Sequence, residues 1–215
     1  RRYAFGKQPS IAYWNLGCLA GALLPLTDKD KLVATLESFK EVYWAKYYAM
    51  MGNKLGLDQV RSIDLDLIRQ FEKTLSEIKP DMTIFFQLLI DLPLYMRSEK
   101  EVAEHFKDSL YQPLKSEEQE AMYHLVSNYL ERLNTNTITR EASQKNMRAA
   151  NPYFILRNYL LHQAIEELEK GENTMFLKLQ EAMKEPYSTK HDEFFKLRPE
   201  WASQKAGCSM LSCSS

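Results

Sequence analysis

The sequence is poor in cysteine, glycine and proline, with three, seven and eight of them among 215 residues. Three cysteines cannot build the dense disulfide framework of a small secreted scaffold, and such sparse usage fits a reducing compartment, the cytosol or an organelle matrix. So few glycines and prolines leave long tracts rich in Glu, Lys, Leu, Met and Ala, with little room for strands. An excess of one charge is missing too. Lys and Arg number 28 against 29 Asp and Glu, a formal charge of -1, so no whole-molecule field draws in nucleic acid or an anionic membrane. The longest apolar stretch, Ile11 to Leu26, is broken by Asn15 and Pro25 and falls short of the roughly 20 residues that span a bilayer. The opening "RRYAFGKQPS" lacks an initiator Met and the apolar segment of a signal peptide, so the sequence is expected to be a fragment of a longer, soluble protein.

The short motifs of common enzymes are absent as well. There is no G-x-G-x-x-G, G-x-x-x-x-G-K-[ST], G-x-S-x-G, H-E-x-x-H or C-x-x-C, and no kinase H-R-D or D-F-G triplet. The sequence by itself therefore offers no phosphate cradle and no nucleophile paired with a base.

What is there is helical periodicity and enough apolar residues, 45% of the chain, for a real core. The expected fold class is all-α. "QPSIAYWNLGCLAGALLPL" has Pro9 near a first helical position, stops before Pro25, and is apolar almost all round, as in a buried helix. The pair Gly17 and Gly21 within it points to close helix packing. After "TDKDK", where Asp28 or Asp30 is placed to cap, a long amphipathic helix runs to Gly52 and Asn53. Further helices are predicted over 63–78, 81–90, 99–110 and 116–133, with Pro80, Pro93 and Pro113 between them. "NPYFILRNYLLHQAIEELEKGE" predicts a helix from Pro152 to Lys170, capped by Asn151, stopped by Gly171, and packed along Phe154, Leu161, Ile165 and Leu168. Arg157 and Asn158 are out of place in that apolar surround, because a buried guanidinium must be paired. With Asn151 they read as structural ties to neighbouring carbonyls or carboxylates. From Pro186 the pattern dissolves into a loop-rich tail, so the expected organisation is a helical portion over 1–185 and a tail over 186–215.

Candidate chemistry is sparse. Histidines 105, 124, 162 and 191 are too scattered for a ligand set, and His191 with Cys208 and Cys213 lacks zinc spacing, so no metal site is expected in the chain. "YWAKYY", from Tyr43 to Tyr48, interleaves a lysine with aromatic rings that can stack on bases, but on an amphipathic helix it reads as core and interface. The ending "CSMLSCSS" puts Cys208 and Cys213 in a polar terminus, where an exposed thiol is open to reversible oxidation.

Four segments carry a resemblance: "RYAFGKQPSIAYWNL", "DMTIFFQLL", "MRAANPYFILRNYLLHQAI" and the ending "RPEW" followed by "SCSS". In this order, from Arg2 to Ser215, they resemble the C-terminal part of the selenoprotein O family. The resemblance implies the helical C-lobe portion of a protein-kinase-like fold, and a parent enzyme, a kinase-like protein adenylyltransferase, that transfers AMP from ATP to Ser, Thr or Tyr hydroxyls of protein substrates with Mg or Mn on the phosphates. The family's nucleotide-gripping, catalytic and metal-binding residues precede the "RYAFG" motif, so no catalytic residue is expected here, and this chain alone is expected to be inactive and to need the missing N-terminal kinase-like half. Cys213 matches the family's redox-active chalcogen, selenocysteine in many animal members. Its partner is expected near the activation segment upstream, which leaves Cys208 and Cys18 as the partners available in this sequence. Cytoplasm and mitochondria are the implied compartments. The alternative is a non-catalytic helical interaction or scaffold module.

Overall fold

The structure, a computed structural model, describes residues 5–96, 98–205 and 208. Among them there are helices and turns and no strand. The chain divides into two compact units, Arg1–Met51 and Gly52–Ser215.

The first unit is a helical hairpin. A 3-10 turn at Phe5–Lys7 leads into α1 (Gln8–Leu23), with Pro9 in its first turn where the missing amide hydrogen breaks no bond. A turn follows, and Asp28 then caps α2 (Lys29–Lys54), its carboxylate accepting from the amides of Asp30 at 2.9 Å and Lys31 at 3.2 Å. The last residues of α2 belong to the second unit. Within the hairpin the rings of Tyr13 and Phe39 lie 5.9 Å apart, and the Lys40 ammonium sits 5.0 Å from the Tyr13 ring centre. The expected burial of α1 is not observed, since none of its residues is buried. The glycine pair does not mark a tight crossing either. A Cβ on Gly17 would meet Leu36 at an ordinary 3.9 Å, and one on Gly21 would meet open space among the described residues.

The second unit holds the core. It comprises α3 (Asp64–Ile78), α4 (Met82–Ile90), α5 (Glu99–Phe106) with a 3-10 turn at Lys107–Ser109, α6 (Ser116–Leu133), α7 (Arg140–Ala150), α8 (Asn158–Glu169), α9 (Thr174–Lys184), a 3-10 turn at Asp192–Phe194, and the short α10 (Trp201–Gln204). Asp81, Ser98 and Thr139 cap α4, α5 and α7 by accepting from Ile84, Glu101 and Ala142. α6 packs between α3 and α5. Its Tyr129 is fully buried, meets Phe71 edge-on at 5.5 Å and donates its hydroxyl to the Leu55 carbonyl at 2.9 Å. Gly56 turns the chain beneath α7 with φ of 67°, and a Cβ there would come within 2.3 Å of the Ser143 hydroxyl, so both conformation and space require glycine. A second cluster joins α8 and α9 to Phe154, Phe194, Ala202 and Cys208.

The helix predicted from Pro152 to Lys170 is shorter than expected. α8 begins only at Asn158, and Asn151 has extended backbone (φ -113°, ψ 106°), as steric conflict with the following proline ring dictates. Tyr153 and Phe154 instead donate their amides to the Pro186 carbonyl, at 2.8 and 2.9 Å. With the start displaced, the buried face is Tyr159, Leu160 and Ala164, while Leu161 is half-buried and Ile165 and Leu168 are 42% and 43% exposed. Phe154 is buried but precedes the helix. The stop falls where Gly171 placed it: φ is 83°, Gly171 donates to Leu168 and Glu172 to Glu167, the paired bonds of a Schellman motif.

Candidate functional site

Of the polar residues singled out in the sequence, Asn151 and Arg157 tie distant segments together. Asn151 is buried at the end of α7, and its side-chain amide donates to the carbonyls of Lys54 and Met147, both at 2.9 Å. Its side-chain oxygen accepts from the Lys54 ammonium at 2.7 Å, and the Gln87 side chain donates to its main-chain carbonyl at 3.0 Å. Lys54 also lies 4.1 Å from the centre of the Phe86 ring, and burial lowers its pKa. Asn151 thus joins the end of α2, α4 and α7 instead of opening α8.

Arg157, just before α8, makes a two-pronged ion pair with Asp81, Nη1 to Oδ2 and Nη2 to Oδ1 at 2.9 Å. The same carboxylate caps α4 and accepts from the Tyr111 hydroxyl at 3.0 Å. Burial, then the charge and hydrogen bond of Asp81, raise the Tyr111 pKa, and the Arg198 guanidinium covers the Tyr111 ring at 5.2 Å. Asn158 is the exposed first residue of α8.

The densest polar group has no forerunner in the sequence reading. Arg132 of α6 reaches Asp64 through Nε at 2.5 Å and Nη2 at 3.1 Å, and Asp58 through Nη2 at 3.1 Å, with all three side chains buried. Its Nη1 donates to Thr135 at 3.1 Å and Asn136 at 2.9 Å. Asp58 is held well below the usual carboxylate range, first by the Thr137 amide and then, against burial, by Arg132 and the Thr137 hydroxyl. The partners are about seventy residues apart in sequence, and no local pattern signals such a pair.

These carboxylates do not fit a divalent cation. Asp58, Asp64 and Asp81 each face an arginine, and among the described residues no three His, Cys, Asp or Glu side chains group to hold a metal.

The cysteines are placed differently from one another. Cys208 is not the exposed thiol expected of a polar terminus: it is 4% exposed, in the cluster with Phe154, Leu160, Leu179 and Ala202. Packed among these apolar side chains, the sulfur is out of reach of solvent and of an oxidant while the packing holds. The segment before it is fixed on α8 by Lys205 pairing with Glu166, which also meets His162 at 3.1 Å, and by Trp201 edge-on to Tyr159 at 6.3 Å. Cys18 is exposed on α1. Cys213 lies outside the described residues.

Comparison with known proteins gives a consistent answer. The family model "Protein adenylyltransferase SelO" matches residues 1–184. A protein of Cytophaga hutchinsonii named "Protein nucleotidyltransferase YdiU" is 54% identical over 217 residues, covering 100% of this chain and 41% of its own length. Proteins of the same name from Xanthomonas euvesicatoria and Nitrosospira multiformis are 39% and 35% identical, again over 100% of this chain and over 42% and 43% of their own lengths. The chain therefore spans about two fifths of the curated relatives it matches.

Proposed function

Because the chain belongs to the SelO family of protein adenylyltransferases, we propose that it works as the helical C-terminal portion of a longer, kinase-like protein nucleotidyltransferase. The family match across residues 1–184 carries this reading. In the proposed reaction a Ser, Thr or Tyr hydroxyl oxygen of a protein substrate bonds to the α-phosphorus of ATP. The bond from that phosphorus to the bridging oxygen breaks, pyrophosphate leaves with the electron pair, and the hydroxyl proton passes to a base. Mg or Mn on the phosphates would supply charge neutralisation. The groups that grip ATP and the metal are proposed to lie outside these 215 residues, consistent with Arg132, Arg157, Asp58, Asp64 and Asp81 being committed to one another.

In this reading the residues present build and brace the helical portion, with Asn151 and Arg157 as its long-range ties. Cys213 is proposed as the redox-active thiol and Cys208 as an apolar anchor for the tail. The protein is proposed to act in cytoplasm or mitochondria, and no helix among the described residues is long and apolar enough to cross a membrane.

Radiolabelled ATP with magnesium and a mixture of acceptor proteins tests the reading. The 215-residue chain should transfer no label, whereas a polypeptide extended upstream to the relatives' length should label itself or the acceptors. Labelling by the short chain would overturn the placement of the catalytic groups, and a folded, extended polypeptide without transfer would overturn the activity.

A further inference from the structure

The first unit carries far more apolar surface than its own packing covers. α1 has no buried residue, and Leu16, Leu19, Leu24, Val33, Val42 and Trp44 are exposed, Leu19 to 54% and Trp44 to 50%. Val33 and Val42 are nine residues apart, which at roughly 100° per residue sets them on opposite sides of α2. The uncovered surface therefore lies on more than one face. A second copy meeting the hairpin through one face would leave the other wet, whereas a larger partner folding around it covers both. Acids and bases alternate along α2, as in Lys31, Glu37, Lys40, Glu41 and Lys46, so nothing selects a polyanion or an anionic lipid surface. Soluble monomers rarely leave apolar patches of more than a few hundred Å² open, and a helix apolar all round belongs inside a larger protein.

The relatives supply the missing bulk: this chain accounts for only 41–43% of their length. We infer that the α1 and α2 hairpin is the seat for the remaining portion of a SelO-family polypeptide, which closes over both of its sides. This rests on the reading that the chain works within a longer nucleotidyltransferase.

Cys18, exposed on α1 beside Leu19, is a built-in reporter. The experiment compares maleimide labelling of Cys18, read by peptide mass, in the 215-residue chain and in a polypeptide joined to the remaining segment of the Cytophaga relative. Labelling should be fast in the short chain. In the joined polypeptide it should slow by about tenfold or more, because a covered site reacts only through local opening. A full-length Cytophaga relative with cysteine substituted at the matching position should show the same protection, so the test does not depend on the joined polypeptide folding. Equal labelling rates in a long polypeptide that transfers nucleotide would overturn the inference while leaving the activity standing. Protection in the short chain, with a dimer in sedimentation, would overturn it in favour of a second copy. Protection in a long polypeptide that transfers nothing would uphold the seat and sink the nucleotidyltransferase reading.

Discussion

The hairpin and the second unit are both helical, yet side chains of similar character do different things in them. Val102, Leu89 and Phe106 of the second unit are buried, whereas Val33, Leu19 and Trp44 of the hairpin stay open. The second unit's buried charges are paired across long sequence distances, Arg132 with Asp64 and Asp58, Arg157 with Asp81. The hairpin has short-range hydrogen bonds, as where Thr35 donates its hydroxyl to the Lys31 carbonyl four residues back and Ser38 donates to the Thr35 carbonyl three back. An amphipathic pattern thus describes a helix without saying how many neighbours it has. What separates the regions is closure, and the substitutions that probe it should differ widely in cost.

The largest effect is expected from Arg132→Ala. It strands two buried carboxylates, and removing one partner of a buried pair costs about 3 to 5 kcal/mol. Urea unfolding of the 215-residue chain measures it, and a midpoint like the parent's would show that the ties of the second unit do not set its stability. Next comes Leu160→Ala in α8, expected to cost about 2 to 5 kcal/mol as a buried leucine truncation, with Leu161→Ala costing clearly less because Leu161 is only half-buried. A reversed order would restore the register first expected for that helix.

Acid should act selectively through Asp58. Its folded pKa lies below that of the unfolded carboxylate, so its contribution is complete above about pH 3.9 and is lost as pH falls from there toward the folded value. Asp58→Asn should lower stability at neutral pH and flatten its fall on acidification, as followed by circular dichroism from pH 6 to 2. An unchanged acid slope would remove Asp58 from the account. The smallest effect is expected from Leu19→Lys in the short chain, within about 0.5 kcal/mol, as for exposed positions away from special features. A loss comparable to that of Leu160→Ala would mean that the hairpin is as closed as the rest.

Much of this was legible in the sequence, for physical reasons that also mark where legibility ends. α4 and α6 fall where expected because Asp81, Pro80 and Pro113 act within a few residues of the backbone they shape. Gly171 told its position for the same reason. α7 carries little signal: "REASQKNMRAA" buries only Ser143 and Met147, too few apolar residues for a visible stripe, and its clearest mark is the Thr139 cap. The sequence leaves the start of α8 ambiguous because Asn151 and Pro152 satisfy a helix-opening rule, while the constraint proline puts on the preceding residue equally suits the end of α7, and only the Lys54 and Pro186 contacts decide between them. Arg157 announced that it needed a carboxylate. That the carboxylate is Asp81, 76 residues away, is a property of the folded chain, as is the burial of Cys208 by residues from α8 and α9.

Asp81 holds three segments with one carboxylate: it caps α4, accepts from Tyr111 and pairs with Arg157 before α8. An opening of α4 that carries Asp81 away leaves both Tyr111 and Arg157 short of their partner, so the amides of these segments should exchange with solvent together with those of α4 rather than one helix at a time. A charge pair of this kind works less as glue than as synchronisation, making α4, the strap around Tyr111 and the entrance to α8 melt as a single event.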